Sequence, residues 1–311
     1  MEKKKLVVLT GPTAVGKTDL SIELAKRIGG EIISADSAQV YKYMDIGSAK
    51  IRPDEMKGIP HYLIDELEPS EEFNVVVFQQ KTKQYMQEIY DRGHIPILVG
   101  GTGFYIQSVL YDINFSIDDD NHQIREELEK LASEKGPEYM HEELRKIDPA
   151  SADAIHANNV KRVIRALEYY KLTGQKISEH NEEQKKNESP YDFSYFVLND
   201  HRELLYERID KRVDEMIAEG LVEEVKHLKK MGYDRSFVSM QALGYKEIFS
   251  FLDGEITLDE AAYIIKRDTR HFAKRQITWF KREKEVIWVN KPEFDYNSKK
   301  ILDFMYRHIN P

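Results

Sequence analysis

The chain has 311 residues, of which 41% are apolar and 32% charged, enough for one large domain or two smaller ones with a sizeable core. It has no cysteine, which excludes disulfides, iron–sulfur clusters and cysteine-ligated zinc and is typical of a reducing compartment. The net charge of −9 alone argues against a nucleic-acid partner, but a polyanion responds to local charge clusters and not to their sum. We expect a cytoplasmic, soluble protein, because no apolar run resembles a signal peptide or approaches the ~18 residues of a membrane span.

The first hundred residues alternate strand and helix patterns. A continuous apolar run at residues 6–10 is typical of a buried parallel strand, and residues 17–28 carry apolar side chains at helical spacing. A second strand is predicted at 31–35, a helix at 75–92 and a third strand at 94–99. With the glycine-rich stretch GPTAVGKT between the first strand and the first helix, this order predicts an α/β fold with a P-loop NTPase-like parallel sheet flanked by helices.

The sequence becomes polar and helical after about residue 114. We predict a helical insertion domain at 116–192, set into a P-loop α/β core formed by 1–115 and 193–311. Its tail, residues 178–190, is expected to be a mobile polar loop. Strands at 193–198 and 285–289 and helices at 203–218 and 257–284 complete a core with a helical C-terminal region; Thr257 and Glu260 form a capping box at the start of the last helix.

The stretch GPTAVGKT after the first strand fits the phosphate-binding pattern G-x-x-x-x-G-K-[ST]. Such a loop presents backbone N–H groups and a helix N-terminus to an anion. Its lysine adds a positive charge, and the hydroxyl of Thr18 suits Mg²⁺. The predicted diphosphate or nucleotide site consists of Gly11, Pro12, Thr13, Ala14, Val15, Gly16, Lys17 and Thr18.

The acid that accompanies this loop does not follow the third strand, which runs into Gly100–Gly101. A kinase or NTP hydrolase would usually carry an aspartate there that helps to hold Mg²⁺. Asp36 instead ends the second strand, on the edge of the sheet that faces the ligand. It could serve as a general base, as a metal ligand or as a helix cap.

Five segments in this order and spacing resemble the bacterial tRNA dimethylallyltransferases. They are GPTAVGKT, ISADSAQVYKYMDIGSAK, ILVGGTGFY, NNVKRVIRALEYY and AKRQITWFKR, and the resemblance runs from about residue 6 to residue 282. The resemblance implies transfer of a dimethylallyl group from dimethylallyl diphosphate to N6 of adenosine 37 of tRNA. The phosphate loop would then hold a diphosphate leaving group, with Mg²⁺ as cofactor.

The same resemblance implies that the helical insertion domain at 116–192 binds tRNA, and it implies roles for single residues. It implies that Asp36 is the general base, that Thr102 lies in the reaction channel and that Arg208 reaches the diphosphate. The implied tRNA-binding positions are Asp36, Ser37, Ala38, Gln39, Thr102, Arg125, Lys161, Arg162, Arg165, Gln241, Gly244, Lys274, Arg275 and Gln276.

Local charge supports an RNA partner despite the acidic total. Residues 266–284 hold eight Lys or Arg against two acids, with aromatic residues interleaved. We expect the cations to contact phosphates and the aromatic residues mainly to face the core. Lys161, Arg162 and Arg165 form a second basic cluster, and acidic segments such as 118–120 are expected to face away.

Three other functions remain open from the residues alone. A P-loop kinase for a nucleoside or small metabolite would share the loop, the sheet and a helical lid. A prenyltransferase for free adenine nucleotides would have no use for the basic C-terminal helix. A non-catalytic RNA-binding protein with a nucleotide switch would leave Asp36 and Thr102 without a role. Weak ATP binding in the loop also remains open, and a monomer is the default expectation.

Overall fold

The computed structural model describes residues 3–115 and 122–310 and contains a six-stranded parallel sheet. The strands are β1 (Lys4–Thr10), β2 (Gly30–Ala35), β3 (His61–Tyr62), β4 (Ile95–Gly100), β5 (Tyr191–Asn199) and β6 (Val286–Asn290). Their order across the sheet is β3-β2-β4-β1-β5-β6. Because β1 lies between β4 and β5, the loop that follows β1 opens at the middle of the sheet edge.

Helices cover this sheet and extend its C-terminal region. They are α1 (Lys17–Ile28), α2 (Val75–Asp91), α3 (Gly103–Leu110), α9 (Arg202–Glu219), α10 (Leu221–Lys230), α11 (Tyr245–Leu252), α12 (Leu258–Phe280) and α13 (Ser298–Ile309). The central strands β1 and β2 are buried almost throughout, as parallel strands with helices on both faces require. Their side chains join those of α1, α9 and α13 in one apolar core.

The chain divides into two compact units: Met1–Leu110 with Pro190–Pro311, and Tyr111–Ser189. We call them the sheet unit and the helical unit. The described helices of the helical unit are α4 (His122–Lys135), α5 (Pro137–Ile147), α6 (Pro149–Ala154), α7 (Val160–Thr173) and α8 (Ile177–Gln184). They enclose an apolar cluster of their own.

The fold class predicted from the sequence is confirmed: a P-loop NTPase-like parallel sheet with many helices. The predicted elements have bounds within a few residues of the observed ones, and Thr257 caps α12 as expected. None of the described helices is both long and apolar enough to cross a membrane. The acidic segment 118–120 lies outside the described residues.

The prediction of a loop at 178–190 is wrong for its first half, which is the helix α8. Ser178 in its first turn donates both its backbone N–H and its hydroxyl to the buried carboxylate of Asp148. Asp148 also accepts the N–H and the hydroxyl of Ser151 at the start of α6. One carboxylate thus satisfies groups at the N-termini of two helices, a tertiary contact that local polarity does not reveal.

Candidate active site

The phosphate loop joins β1 to α1, with Lys17 as the first residue of the helix. The Lys17 ammonium donates to the backbone oxygens of Gly11 and Pro12 at 3.0 and 2.9 Å. Thr18 is exposed beside it. The loop therefore places one cation and one free-standing hydroxyl at a helix N-terminus, where an anionic ligand is favoured.

Lys17 shares its site with Asp36 and Arg212. Burial lowers the pKa of Lys17 to about 8; the Asp36 carboxylate opposes this shift and the Arg212 guanidinium adds to it. Burial also lowers the pKa of Arg212, which has no carboxylate within 4 Å and no hydrogen bond among the described residues. Two cations crowded together without a full complement of acids are stabilised when an anion binds between them.

A second pair of cations includes one residue that contacts the loop directly. Arg208, one turn before Arg212 on α9, donates to the buried carboxylate of Asp200 at 2.6 Å. Lys291, just after β6, donates to the backbone oxygen of Val15 at 3.2 Å. Burial and the nearby Arg208 lower the pKa of Lys291. The phosphate loop is thus surrounded by cations from three separate segments of the sheet unit.

Asp36 follows β2, on the same edge of the sheet. One carboxylate oxygen accepts the backbone N–H of Ala38 at 2.9 Å, which fixes the turn and leaves the side chain partly exposed. Beyond it, the Gln39 amide accepts from the Ser34 hydroxyl and donates to the backbone oxygens of Ser48 and Ala49. A carboxylate held in this way beside Lys17 could take a proton from a substrate amine.

Gln276, on α12, connects the phosphate loop to the end of β4. Its side-chain oxygen accepts the Thr13 N–H at 2.9 Å, and its side-chain nitrogen donates to the Gly101 oxygen at 3.0 Å. A Cβ on Gly101 would lie 2.1 Å from that nitrogen, so a side chain at this position would displace the Gln276 amide. Thr102 comes next, and its N–H donates to the oxygen of Ala35, directly before Asp36. Gln276 thus makes hydrogen bonds both to the phosphate loop and to the turn that precedes Thr102.

The exposed face of α12 is basic. Lys274, Arg275 and Arg282 are exposed, and none of them has a carboxylate partner among the described residues. Together with His271, Thr278 and Trp279 they line an open groove of about 450 Å³. Lys266 and Arg270, earlier on the same stripe, form ion pairs with Asp214 and Asp210 of α9. The cations without a carboxylate partner therefore lie in the second half of α12 and just after its end.

The aromatic residues of α12 divide between core and surface. Phe280 is fully buried and Trp279 is half-buried, with its ring edge-on to Phe104. His271 and Phe272 are exposed, and the Arg275 guanidinium lies 5.7 Å from the Phe272 ring. The expectation that these residues mainly face the core therefore holds for only half of them.

The remaining positions implied to bind tRNA differ in exposure. In the helical unit Lys161, Arg162 and Arg125 are exposed, whereas Arg165 pairs with the buried Glu168. The following residues belong to the sheet unit. Ser37 and Gln241 are exposed, Ala38 and Thr102 are half-buried, and Gly244 and Gln276 are buried.

No group of three or more His, Cys, Asp or Glu in the described part of the chain could hold a metal ion by itself. This donor set nevertheless suits Mg²⁺, which usually keeps several waters and is held by one or two protein groups together with substrate phosphates. The exposed hydroxyl of Thr18 is in the position for that role.

Comparison with known proteins identifies the family. The model of the IPP transferase family matches residues 39–283, most of the chain. This chain belongs to the IPP transferase family. A tRNA dimethylallyltransferase of Lachnoclostridium phytofermentans is 64% identical over 293 residues, which cover 94% of this chain and 93% of that protein.

Solved structures of this family agree with the assignment. The crystal structure of a tRNA isopentenylpyrophosphate transferase from Bacillus halodurans is 46% identical, with a TM-score of 0.74, and covers 99% of this chain and 97% of its own. A eukaryotic dimethylallyltransferase, captured in crystallographic snapshots of its action on tRNA, is 32% identical with a TM-score of 0.77. The match covers 92% of this chain and 74% of the eukaryotic chain.

Two further cations of this candidate site were assigned no role from the sequence, although a signal was present for each. Arg212 lies four residues after Arg208, a spacing that places both on one face of α9. Lys291 follows β6 directly, and the carboxyl ends of parallel strands are where ligands bind in open α/β sheets.

Proposed function

We propose that this chain transfers a dimethylallyl group from dimethylallyl diphosphate to N6 of adenosine 37 in tRNA, releasing diphosphate. The observation that carries the proposal is the shared site of Lys17, Arg212 and Asp36. On one edge of the sheet, it combines cations that can stabilise an anionic leaving group with a carboxylate that can accept a proton. A diphosphate ester and an amine acceptor require this combination.

The reaction breaks the bond between the allylic carbon and the diphosphate oxygen and forms a bond from that carbon to N6. The departing diphosphate takes the bonding electrons, and Lys17, Arg208 and Arg212 stabilise the negative charge that develops. Asp36 takes the proton from N6 as the new bond forms. Thr102, in the turn hydrogen-bonded to Ala35, lines the path between the two substrates.

Mg²⁺ would be held by the Thr18 hydroxyl and the diphosphate oxygens and would supply further neutralisation of the leaving group. The other residues of the phosphate loop contribute backbone N–H groups, except Pro12, which has none, and Val15, whose N–H donates to the Pro12 oxygen. One of these, from Thr13, is already occupied by Gln276. The ligand would therefore be bound mainly by side-chain cations and by the N–H groups at the start of α1.

The tRNA would be bound by positive charge in both units. In the sheet unit the positively charged residues are Lys274, Arg275 and Arg282, which have no carboxylate partner among the described residues. In the helical unit they are Lys161 and Arg162, with Arg125 on α4. Chemistry on N6 requires the target base to leave its stack, so we propose that adenosine 37 is flipped towards Asp36.

The experiment is prenylation of unmodified tRNA with dimethylallyl diphosphate and Mg²⁺, followed by digestion and mass spectrometry of the nucleosides. We expect one adenosine heavier by one C5H8 unit, absent with Asp36→Asn. Parallel reactions with AMP as acceptor, and with ATP and small acceptors, test the other classes. Prenylation of AMP alone, or ATP consumption without prenylated tRNA, would contradict the proposal.

A further inference from the structure

A carboxylate outside the phosphate site fixes the loop that follows Asp36. Glu224, on α10, accepts three successive backbone N–H groups: Asp45 at 3.0 Å, Ile46 at 2.7 Å and Gly47 at 3.1 Å. It also accepts the hydroxyl of Tyr245 at 2.7 Å. Each of its oxygens has two donors, and hydrogen bonds to a charged acceptor are about twice as strong as neutral ones.

The loop also packs closely against the second partner of that carboxylate. A Cβ on Gly47 would lie 2.6 Å from the ring of Tyr245, which is fully buried at the start of α11. The backbone at Gly47 therefore packs directly against the tyrosine ring, without room for a side chain. The contact with the Tyr245 ring and the hydrogen bonds to Glu224 together fix the position and the orientation of the backbone at residues 45–47.

Hydrogen bonds connect these residues to the base of the proposed reaction. Ser48 and Ala49 present their backbone oxygens to the side-chain nitrogen of Gln39. The side-chain oxygen of Gln39 accepts the hydroxyl of Ser34, two residues before Asp36. Glu224 thus contacts residues 45–47, and the next two residues contact Gln39. Gln39 in turn contacts Ser34 in β2, the strand that Asp36 follows.

We propose that Glu224 is a positioning residue for the reaction: it holds residues 36–50 so that Asp36 and Gln39 face the acceptor adenine. This inference depends on the proposed function for its kinetic consequence, but its structural consequence can be measured separately. The Glu224 carboxylate contacts no reacting atom. It acts through the backbone of residues 45–47.

The variant Glu224→Gln keeps the size of the side chain but replaces one acceptor oxygen by an N–H donor that faces other donors. We expect kcat with tRNA to fall about 10- to 100-fold, as expected for a misplaced general base. KM for tRNA should rise, while KM for dimethylallyl diphosphate and binding of inorganic diphosphate should change less than threefold. A loss of folded protein alone would not separate the two substrates in this way.

Two further variants control for folding and position. Glu223→Gln changes the adjacent residue, which is exposed and pairs only with Lys226 in the described part of the chain, and should behave as the unmodified protein does. Tyr245→Phe keeps the ring against Gly47 and removes one donor, so it should show a smaller change in the same direction. It serves as the test if Glu224→Gln does not fold.

Hydrogen exchange gives a readout that does not require activity. In Glu224→Gln, exchange should accelerate at residues 45–47 and also at 36–39, with the phosphate loop unchanged. Acceleration at 45–47 alone, or a kcat and tRNA KM within twofold of the unmodified protein, would overturn the proposal. If the unmodified protein fails to prenylate tRNA, the proposed function fails, while the exchange pattern still decides whether Glu224 fixes residues 36–39.

Discussion

Replacing Arg212 with Met should lower activity without lowering stability. Arg212 is largely buried on α9 and has no hydrogen bond or carboxylate partner among the described residues, although Glu215 lies near enough to raise its pKa slightly. A charge in that position costs desolvation energy that the nearby Glu215 offsets only in part. Met retains the apolar stem of the side chain and removes the charge.

The magnitude follows from the effect on Lys17. Its pKa falls from 10.5 to about 8, which corresponds to about 3 kcal/mol against the charged form. Burial is the largest cause and Arg212 a smaller one, so Arg212→Met should relieve a fraction of that cost. We expect the free energy of unfolding to stay the same or rise by about 1 kcal/mol. Loss of one cation from the leaving-group site should lower kcat/KM for dimethylallyl diphosphate by about 10²- to 10³-fold.

The assays are urea unfolding without ligand and prenylation kinetics with tRNA in excess. Arg208→Met is the matched comparison on the same helix face, because Arg208 pairs with the buried Asp200. That variant should lose both activity and about 1–3 kcal/mol of stability, since a buried carboxylate loses its cation. Clear destabilisation by Arg212→Met, or a kcat/KM within threefold of the unmodified protein, would refute the reasoning.

Three further outcomes are expected. First, kcat/KM for dimethylallyl diphosphate should fall as pH rises through about 8, where Lys17 of the free protein loses its proton. Lys17→Arg should remove that limb, and a limb that persists would assign it to another group. The contribution of Lys17 to the stability of the free protein should rise from pH 8 to 10.5, because Lys17 is deprotonated in the folded protein and still protonated in the unfolded chain there. Second, Gln276→Leu leaves the Thr13 N–H and the Gly101 oxygen without partners. It should destabilise by about 2–4 kcal/mol in urea unfolding and should weaken inorganic diphosphate binding in calorimetry; unchanged binding would contradict the link to the phosphate loop. Third, tRNA affinity measured against salt should fall with a log–log slope of about −0.7 to −0.9 per phosphate contacted. A flat response would contradict binding by the basic face of α12.

The sheet and its phosphate loop could be predicted because their signals are local. A continuous apolar run, a glycine-rich turn and helical periodicity each occupy a few consecutive residues, and β1, α1 and β2 fall within a few residues of the predicted bounds. The same locality explains the error at α8. The residue that stabilises its first turn, Asp148, lies 30 positions away in the chain.

The site could be predicted only in part, because some of its contacts join residues that are far apart in the chain. The position of Asp36 follows from its place at the end of a strand, and the loop follows from its pattern. The roles of Gln276 and Glu224 depend on contacts with residues 263 and about 178 positions away. Neither residue type is unusual on a helix, so nothing in the local sequence distinguishes them from solvated side chains.

The end of β4 explains why this loop suits a leaving group better than a nucleotide that is hydrolysed. Proteins that hydrolyse nucleotides hold Mg²⁺ partly through an acid after a neighbouring strand. Here that place is Gly101, and the amide of Gln276 fills the space that a side chain would need. We therefore propose that Lys17, Arg212 and Arg208 neutralise the charge of the leaving group and that Asp36, the acid after β2, accepts the proton. Gly101→Asp should consequently displace Gln276 and abolish prenylation without producing ATP hydrolysis; a gain of hydrolysis would show that only the missing acid separates the two activities.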